Sequence, residues 1–408
     1  MKKNLLAAAL LLSATTSFGG GYQLNLQGLR QLAMGGTGVA WPWDASTIFY
    51  NPGGLARLKG IQVYADVVPV IPNTAYGTNM YSAQSKPQVF TPFSFYIGGP
   101  IQEGSRLAIG LGVYTPAGLG ITWPDNWAGS NIVQAVQFSA IFVQPTVSYR
   151  VSDFLSVGGG FVYGTGTLDY SSTLPVETYV GNNDTLGKAK LHGTATGVGF
   201  NLGVHLKVND NLQVGLTYRS QVNMGISSGD ATFTVPTSVA ANFPHTQFDS
   251  QLPLPQVASI GVGYRTGDLT LLFDLNYTGW NSFDSLRINF AQHTPAVQDL
   301  HEPRHYRNTL TPRLGANYKL SKTVALMAGA CYDPTPVTNG FVSPDLPDAD
   351  RIVGSCGISV KPLPRFTVMA AFEGTSSLKR SSSYDYANFA GTYQTQVVAI
   401  GLGFYYNL

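Results

Sequence analysis

The chain has 408 residues and a formal net charge of +2, with 11% charged residues, 12% aromatic residues and 46 glycines. Soluble domains carry about 25% charged residues, so the composition excludes an ordinary solvated globule, and the near-neutral balance offers nothing to a nucleic acid. After the N-terminus no stretch reaches the roughly 18 uninterrupted apolar residues of a spanning helix, which leaves strands as the means of meeting lipid.

Lys2 and Lys3 precede an apolar run from Leu5 to Leu12, and Ser17-Phe18-Gly19 places small residues at the −3 and −1 positions of a cleavage site. This pattern predicts a secretory leader over 1–19 and a mature chain that starts near Gly20. The next segment, 20–58, does not alternate as a strand does. It carries Gly35, Gly36 and Gly38 for tight turns, and Asp44 to cap a short helix over 45–50 that Pro52 ends. An N-terminal linker rarely holds Trp41, Trp43, Phe49 and Tyr50, so the segment is expected to fill a lumen.

From residue 59 onward the apolar residues alternate. In the last run Val398, Ile400, Leu402, Phe404, Tyr406 and Leu408 share one face, and Phe366, Val368, Ala370 and Phe372 repeat the pattern opposite Arg365, Thr367 and Glu373. Fourteen such runs are expected, the third at 105–114, the tenth at 304–319 and the last at 393–408. Tight joints such as 151–153, 209–211 and 266–268 alternate with long ones at 73–87, 115–131, 174–187, 230–251, 280–303, 333–351 and 374–392. Short periplasmic turns, long external loops and an even strand number predict an all-β fold: a 14-stranded antiparallel transmembrane barrel, 59–408, of the outer membrane. Gly403, Tyr406 and Leu408 fit the ending that barrel-assembly machinery accepts, with Leu in place of the usual terminal Phe. Cys331 and Cys356 fall on neighbouring strands and are either a disulfide or two small buried side chains.

The segment Met34-Gly35-Gly36-Thr37-Gly38, followed by Asp44-Ala45-Ser46-Thr47-Ile48-Phe49-Tyr50-Asn51-Pro52-Gly53-Gly54-Leu55, resembles the hatch of the FadL family of long-chain fatty acid transporters, which also includes aromatic-hydrocarbon channels. The family pattern is Asn-Pro-Ala; Asn51 and Pro52 match it and Gly53 departs from it. Tyr114-Thr115-Pro116-Ala117-Gly118 with Trp123-Pro124-Asp125-Asn126-Trp127, Leu254-Pro255-Gln256, Trp280 with Ser282-Phe283-Asp284, Asp333-Pro334-Thr335-Pro336, and Leu346-Pro347-Asp348-Ala349-Asp350-Arg351 extend the resemblance in order along the chain. It implies a monomer whose hatch, with Asn51, Pro52, Gly53 and Tyr22 as gating positions, blocks an open pore. Long-chain fatty acids, or alternatively monoaromatic hydrocarbons, would be caught by external loops, pass to an internal pocket and leave sideways at a kink in the third strand. No cofactor or metal is implied.

Leu119, Ile121, Trp123 and Trp127 crowd one external loop, as a capture site for the ligand or as the interfacial girdle of the barrel. Arg304, Arg307 and Arg351 are placed to meet a ligand carboxylate or the phosphates of outer-membrane lipid and lipopolysaccharide, or are simply solvated loop charges. Two other classes compete: a hydrophilic porin, which would want rings of lumen charge, and an outer-membrane hydrolase. For the hydrolase, Gly225-Ile226-Ser227-Ser228-Gly229 is the obvious nucleophile pattern, and it lacks the following helix that such an elbow needs. His192, His205, His245, His293, His301 and His305 show no zinc spacing. An enzyme is not expected.

Overall fold

The computed structural model describes residues 20–176 and 186–408; the expected leader and the middle of the loop at 174–187 lie outside the described residues. Fourteen antiparallel strands close into a barrel. The first runs Gln62–Val67 and resumes at Val70–Gly77, the second is Ser82–Gln84 and Phe93–Pro100, the third Leu107–Thr122 and the fourth Ala135–Arg150. Leu155–Pro175 and Leu186–Lys207 are the fifth and sixth, Leu212–Arg219 with Val222–Thr234 the seventh, and Thr246–Leu254 with Val257–Thr266 the eighth. The ninth to thirteenth are Leu269–Thr278, Thr309–Lys319, Val324–Asp333, Arg351–Leu363 and Phe366–Ser377. The fourteenth, Phe389–Asn407, returns to the first, with Gln62 opposite Asn407 and Val67 opposite Leu402. Closure pairs the first strand with the last, as hydrocarbon surroundings require of a spanning sheet.

Side chains sort as the alternation predicts. Ile400 and Leu402 are 50% and 59% exposed on the lipid side, whereas Thr367 and Asn317 point inward and are buried. Cys331 faces inward and Cys356 outward, and both are free. Cys331 stands opposite Val353, so Cys356 lies three residues further along that strand. An odd offset puts it on the other face, and the disulfide alternative is excluded.

Several strand limits differ from expectation, among them the start of the last strand at Phe389 in place of residue 393, and two bear on the site. The third strand does not stop at residue 114 but continues to Thr122 past an irregularity at Thr115-Pro116, since a bulge absorbs the proline that read as the start of a loop. The tenth begins at Thr309, not at residue 304, because His305 adopts a left-handed φ of 44° that breaks the extended run. Several long loops fold as strand extensions: Ser285–Phe290 pairs with Leu300–Pro303 and with the eighth strand, and Arg380–Tyr384 lies along the fourteenth. Ser227 lies on the exposed side of the seventh strand, at a bulge between Ile226 and Gly229. Beyond it the chain runs on as strand to Thr234, in place of the turn and helix that a nucleophile elbow needs.

Residues 20–58 pack against inward-facing side chains of the wall strands. Helices Leu29–Ala33 and Thr47–Tyr50 and the 3-10 turn Pro52–Arg57 form a compact piece in which Leu29, Leu32, Met34, Ile48 and Leu55 are fully buried. The second helix starts two residues later than expected, and the Asp44 carboxylate accepts the Ser46 N–H ahead of it at 3.0 Å.

Wall side chains from many strands hold this piece. Asp274 accepts the N–H groups of Gly38 and Val39 at 2.8 and 3.1 Å, and Arg313 donates to the Gly35 carbonyl at 3.0 Å. Gln144 and Asn201 both donate to the Ile48 carbonyl. Each bond contributes about 1 kcal/mol net, so the plug is fixed by a sum of modest, individually removable ties. Glycines in the wall let it seat. A Cβ on Gly203 would come 2.2 Å from Asn51 Oδ1, and one on Gly215 would come 2.0 Å from the Val39 carbonyl oxygen.

Candidate functional site

The site arises at the irregularity in the third strand. Tyr114 stands opposite Phe142 and Ala117 opposite Ala140, so three steps on one strand match two on the fourth. The second strand pairs with the third only from Ser94 opposite Tyr114 down to Pro100 opposite Ala108. Thr115 Oγ1 closes that ladder: it accepts the Phe93 N–H at 3.0 Å and donates to the Phe93 carbonyl at 3.2 Å. Above it the Lys86 N–H, from the segment between the two parts of the second strand, reaches the Thr122 carbonyl at 2.7 Å.

The N-terminal residues satisfy what the strand lacks. The Leu24 N–H donates to the Pro116 carbonyl at 2.9 Å and the Gly118 N–H to the Tyr22 carbonyl at 3.1 Å, with Gln23 bridged to Ala117. The start of the hatch is thus a short extra strand laid on the kinked one. Gly21 holds a left-handed φ of 57° against Trp280, where a Cβ would come within 2.4 Å of the indole. The Tyr22 hydroxyl donates to the Pro253 carbonyl, and its ring meets Trp280 and Phe283 edge-on at 4.9 and 5.7 Å.

Two cavities adjoin this latch. The inner one, about 480 Å³, is bordered by Leu24, Phe90, Pro92, Leu119, Gly120 and Phe138 on its apolar side. Phe90 stands against Gly120, where an added Cβ would fall 2.1 Å from the ring. Phe90 and Gly120 both border the cavity, at the level where the second and third strands share no ladder bonds. The outer one, about 100 Å³, lies among Tyr22, Val136, Leu168, Met224, Leu252 and Phe283. Leu119, Phe138, Asp345 and Leu346 border both.

Each cavity has a polar wall. In the outer one Arg304, 3% exposed, donates to both Asp345 oxygens at 3.1 Å and to Glu302 at 2.9 Å. Burial drives both carboxyls up; Arg304 then pulls Asp345 below its ordinary range, while Glu302 stays above its own. In the inner one Arg351 lies 3.4 Å from Asp333 and 3.7 Å from Asp348. Asp348 also accepts the Gly21 N–H and the Thr335 hydroxyl, and burial holds its carboxyl above the usual range.

The structure brings together Tyr22, Leu119, Ile121, Arg304 and Arg351 around the two cavities. Trp123 and Trp127 are elsewhere: they stack at 4.3 Å, 0% and 2% exposed, and donate to the Pro344 and Val133 carbonyls, so they form the interior of the loop. Arg307 sits half-buried beside Pro336, to which its backbone N–H donates.

Asn51 works from below. Its Nδ2 donates to the Val39 carbonyl at 2.7 Å and to the Val204 carbonyl at 3.1 Å, and its Oδ1 accepts the Gly53 N–H at 3.1 Å. It ties two parts of the hatch to the sixth strand. A Cβ at Gly53 would come 2.7 Å from the Gly203 carbonyl oxygen, which accounts for glycine where the family has alanine. Asn51→Ala strands the Val39 carbonyl and unties the hatch from the sixth strand, where Val204 keeps its ladder partner Leu216, and is expected to loosen the hatch by about 2 kcal/mol. Uptake should fall severalfold while the heat-resistant barrel band on gels persists; unchanged uptake at normal surface level would remove Asn51 from the mechanism.

Phe90, Phe138, Glu302 and Asp345 were not singled out from the sequence, and Leu346 entered only as the first residue of the run 346–351. The sequence reading puts Phe90 in a second strand over 88–99, whereas the regular strand begins at Phe93, after Pro92.

Comparison with known proteins agrees with this architecture. The chain is 25% identical to outer membrane protein P1 of Haemophilus influenzae, over 90% of this chain and 89% of that protein. It is 23% identical to the long-chain fatty acid transport protein of Salmonella typhi, over 87% of each. The crystal structure of a Pseudomonas aeruginosa FadL homologue superposes with a TM-score of 0.86 at 19% identity, covering 95% of this chain and all of that one. The sequence profile of outer membrane transport proteins of the OMPP1/FadL/TodX type matches residues 10–408, and the chain belongs to that outer-membrane transporter family.

Proposed function

We propose that this protein lets long-chain acyl compounds, fatty acids foremost, cross the outer leaflet passively: they are caught among the external loops, pass through the outer and inner cavities, and leave sideways between the second and third strands. The observation that carries this reading is the inner cavity beside a stretch over which the second and third strands share no ladder bonds, with Phe90 and residues 22–24 set against it. A cavity of about 150 Å³ suffices for benzene. The inner one, about 480 Å³, suits a longer chain better than a single ring. Sideways release has an energetic reason, since each methylene moved from lipid into water costs about 0.8 kcal/mol. The name of the Salmonella typhi relative points the same way.

Cells that lack their own fatty-acid channel should take up labelled oleate severalfold faster when they carry this protein. Liposomes containing it should not swell in small sugars, because the hatch fills the axis. Uptake at the vector level, or rapid swelling, would contradict the reading and favour a hydrophilic pore.

A further inference from the structure

The two cavities touch without merging. Leu119, Phe138, Asp345 and Leu346 border both, so a ligand that moves from the outer cavity to the inner one passes between these side chains. Phe138, 3% exposed, stands opposite Leu119 of the third strand and Leu168 of the fifth, at the separation where cross-strand side chains meet. Leu346 reaches the same place from the external loop at 333–351. Three apolar side chains from three parts of the chain thus form a neck.

Its sides differ in how firmly they are held. On the loop side nearly every residue is tied: the Pro344 carbonyl accepts the Trp123 indole N–H at 3.0 Å, and Asp345 receives Arg304 on both oxygens at 3.1 Å. The Leu346 N–H donates to the Ser343 carbonyl at 3.1 Å, and its own carbonyl accepts the Asp348 N–H at 2.8 Å. Asp348 in turn receives the Gly21 N–H and the Thr335 hydroxyl. On the strand side Phe138 has ladder neighbours to left and right. Leu119, among the described residues, has one only on the fourth strand, because the second and third strands share no ladder bonds at its level. Leu119 is therefore the side held least, and the neck has little else that can yield.

Size decides what such an opening passes. The outer cavity, about 100 Å³, is smaller than the roughly 150 Å³ that holds one benzene ring. A straight chain threads it with one methylene in the neck at a time and its length shared between the two cavities. A group wider than a benzene ring has to displace several packed side chains together, which a close-packed interior resists. Burial of apolar surface favours both shapes alike, so the discrimination is steric.

We propose that the neck between the cavities selects by cross-section: it passes unbranched hydrocarbon chains and stops those that carry a bulky cage or fused rings, with Phe138 and Leu346 as the specificity-determining residues. This rests on the transport reading above and names the shape of substrate that the route accepts.

The test compares labelled hexadecanoate with the same acid capped at its far end by an adamantyl cage, each presented on albumin to cells that lack their own fatty-acid channel. With the vector level subtracted, the wild-type protein should take up hexadecanoate about tenfold faster than the capped acid. Phe138→Ala and Leu346→Ala should each raise the ratio of capped to uncapped uptake severalfold, with assembly of each variant established by heat-modified migration and surface labelling. Equal uptake of the two acids through the wild-type protein overturns the size filter and leaves the transport reading standing. An unchanged ratio in one assembled variant removes that residue from the filter, and in both it overturns the neck as the seat of selection. Uptake of neither acid above the vector level overturns the transport reading and the filter together.

Discussion

Deleting Pro116 is expected to reduce uptake of long-chain fatty acid to the level of cells without the protein, with the barrel still assembled. The third strand has one residue more than the fourth between the pairs Tyr114–Phe142 and Ala117–Ala140, so removing one residue restores a regular ladder, with Thr115 opposite Ile141. A regular third strand would continue its pairing with the second beyond Ser94 and shut the unpaired stretch beside Phe90. The deletion also removes the carbonyl that receives Leu24. Heat-modified migration on gels and surface labelling would establish assembly. Normal uptake by an assembled deletion protein would mean that the bulge is not the way out.

Gly203→Val is expected to do the opposite and unseat the plug. The added Cβ would fall 2.2 Å from Asn51 Oδ1 and 2.8 Å from Pro52 Cδ, in a lumen where neither can retreat without giving up the bonds to Val39 and Val204. Overpacking of this kind costs about 1–3 kcal/mol. The hatch is held by separate side-chain bonds of about 1 kcal/mol each, whereas the wall is a continuous ladder, so the hatch gives way first. Proteoliposomes carrying the variant should swell in small sugars severalfold faster than those with the wild-type protein. Swelling that stays at the wild-type level would show that the seat tolerates the methyl groups and that the glycine is not what admits the hatch.

Much of the barrel was legible because its signal is local. Val398 to Leu408 declares its lipid face by alternation alone, and the turn at 266–268 carries Gly267 with a left-handed φ of 57°. The hatch was legible as an exception to that alternation and through Asn51-Pro52. What escaped depends on separations that a linear reading does not span. Arg304 looked free until Asp345, forty-one positions away, proved to hold it. Trp123 and Trp127 have the composition of either a girdle or a capture site, and only packing shows them stacked inside a loop. The third strand was cut short at Tyr114 because proline within a strand normally marks its end, and the carbonyl partner that keeps Pro116 in the sheet comes from residue 24. Gly53 read as a weakness in the resemblance and is explained by the nearness of Gly203, a wall residue 150 positions further on.

The path of the ligand decides between a lateral exit and an axial one. Crystals of the protein grown with a terminally brominated long-chain alcohol would place the bromine and the chain directly, by anomalous scattering and by density. The lateral route predicts a chain between Leu119 and Phe90, directed at the unpaired stretch of the third strand, with residues 20–58 still seated. A chain that instead runs along the barrel axis past a displaced Asn51 toward the periplasmic end would contradict it.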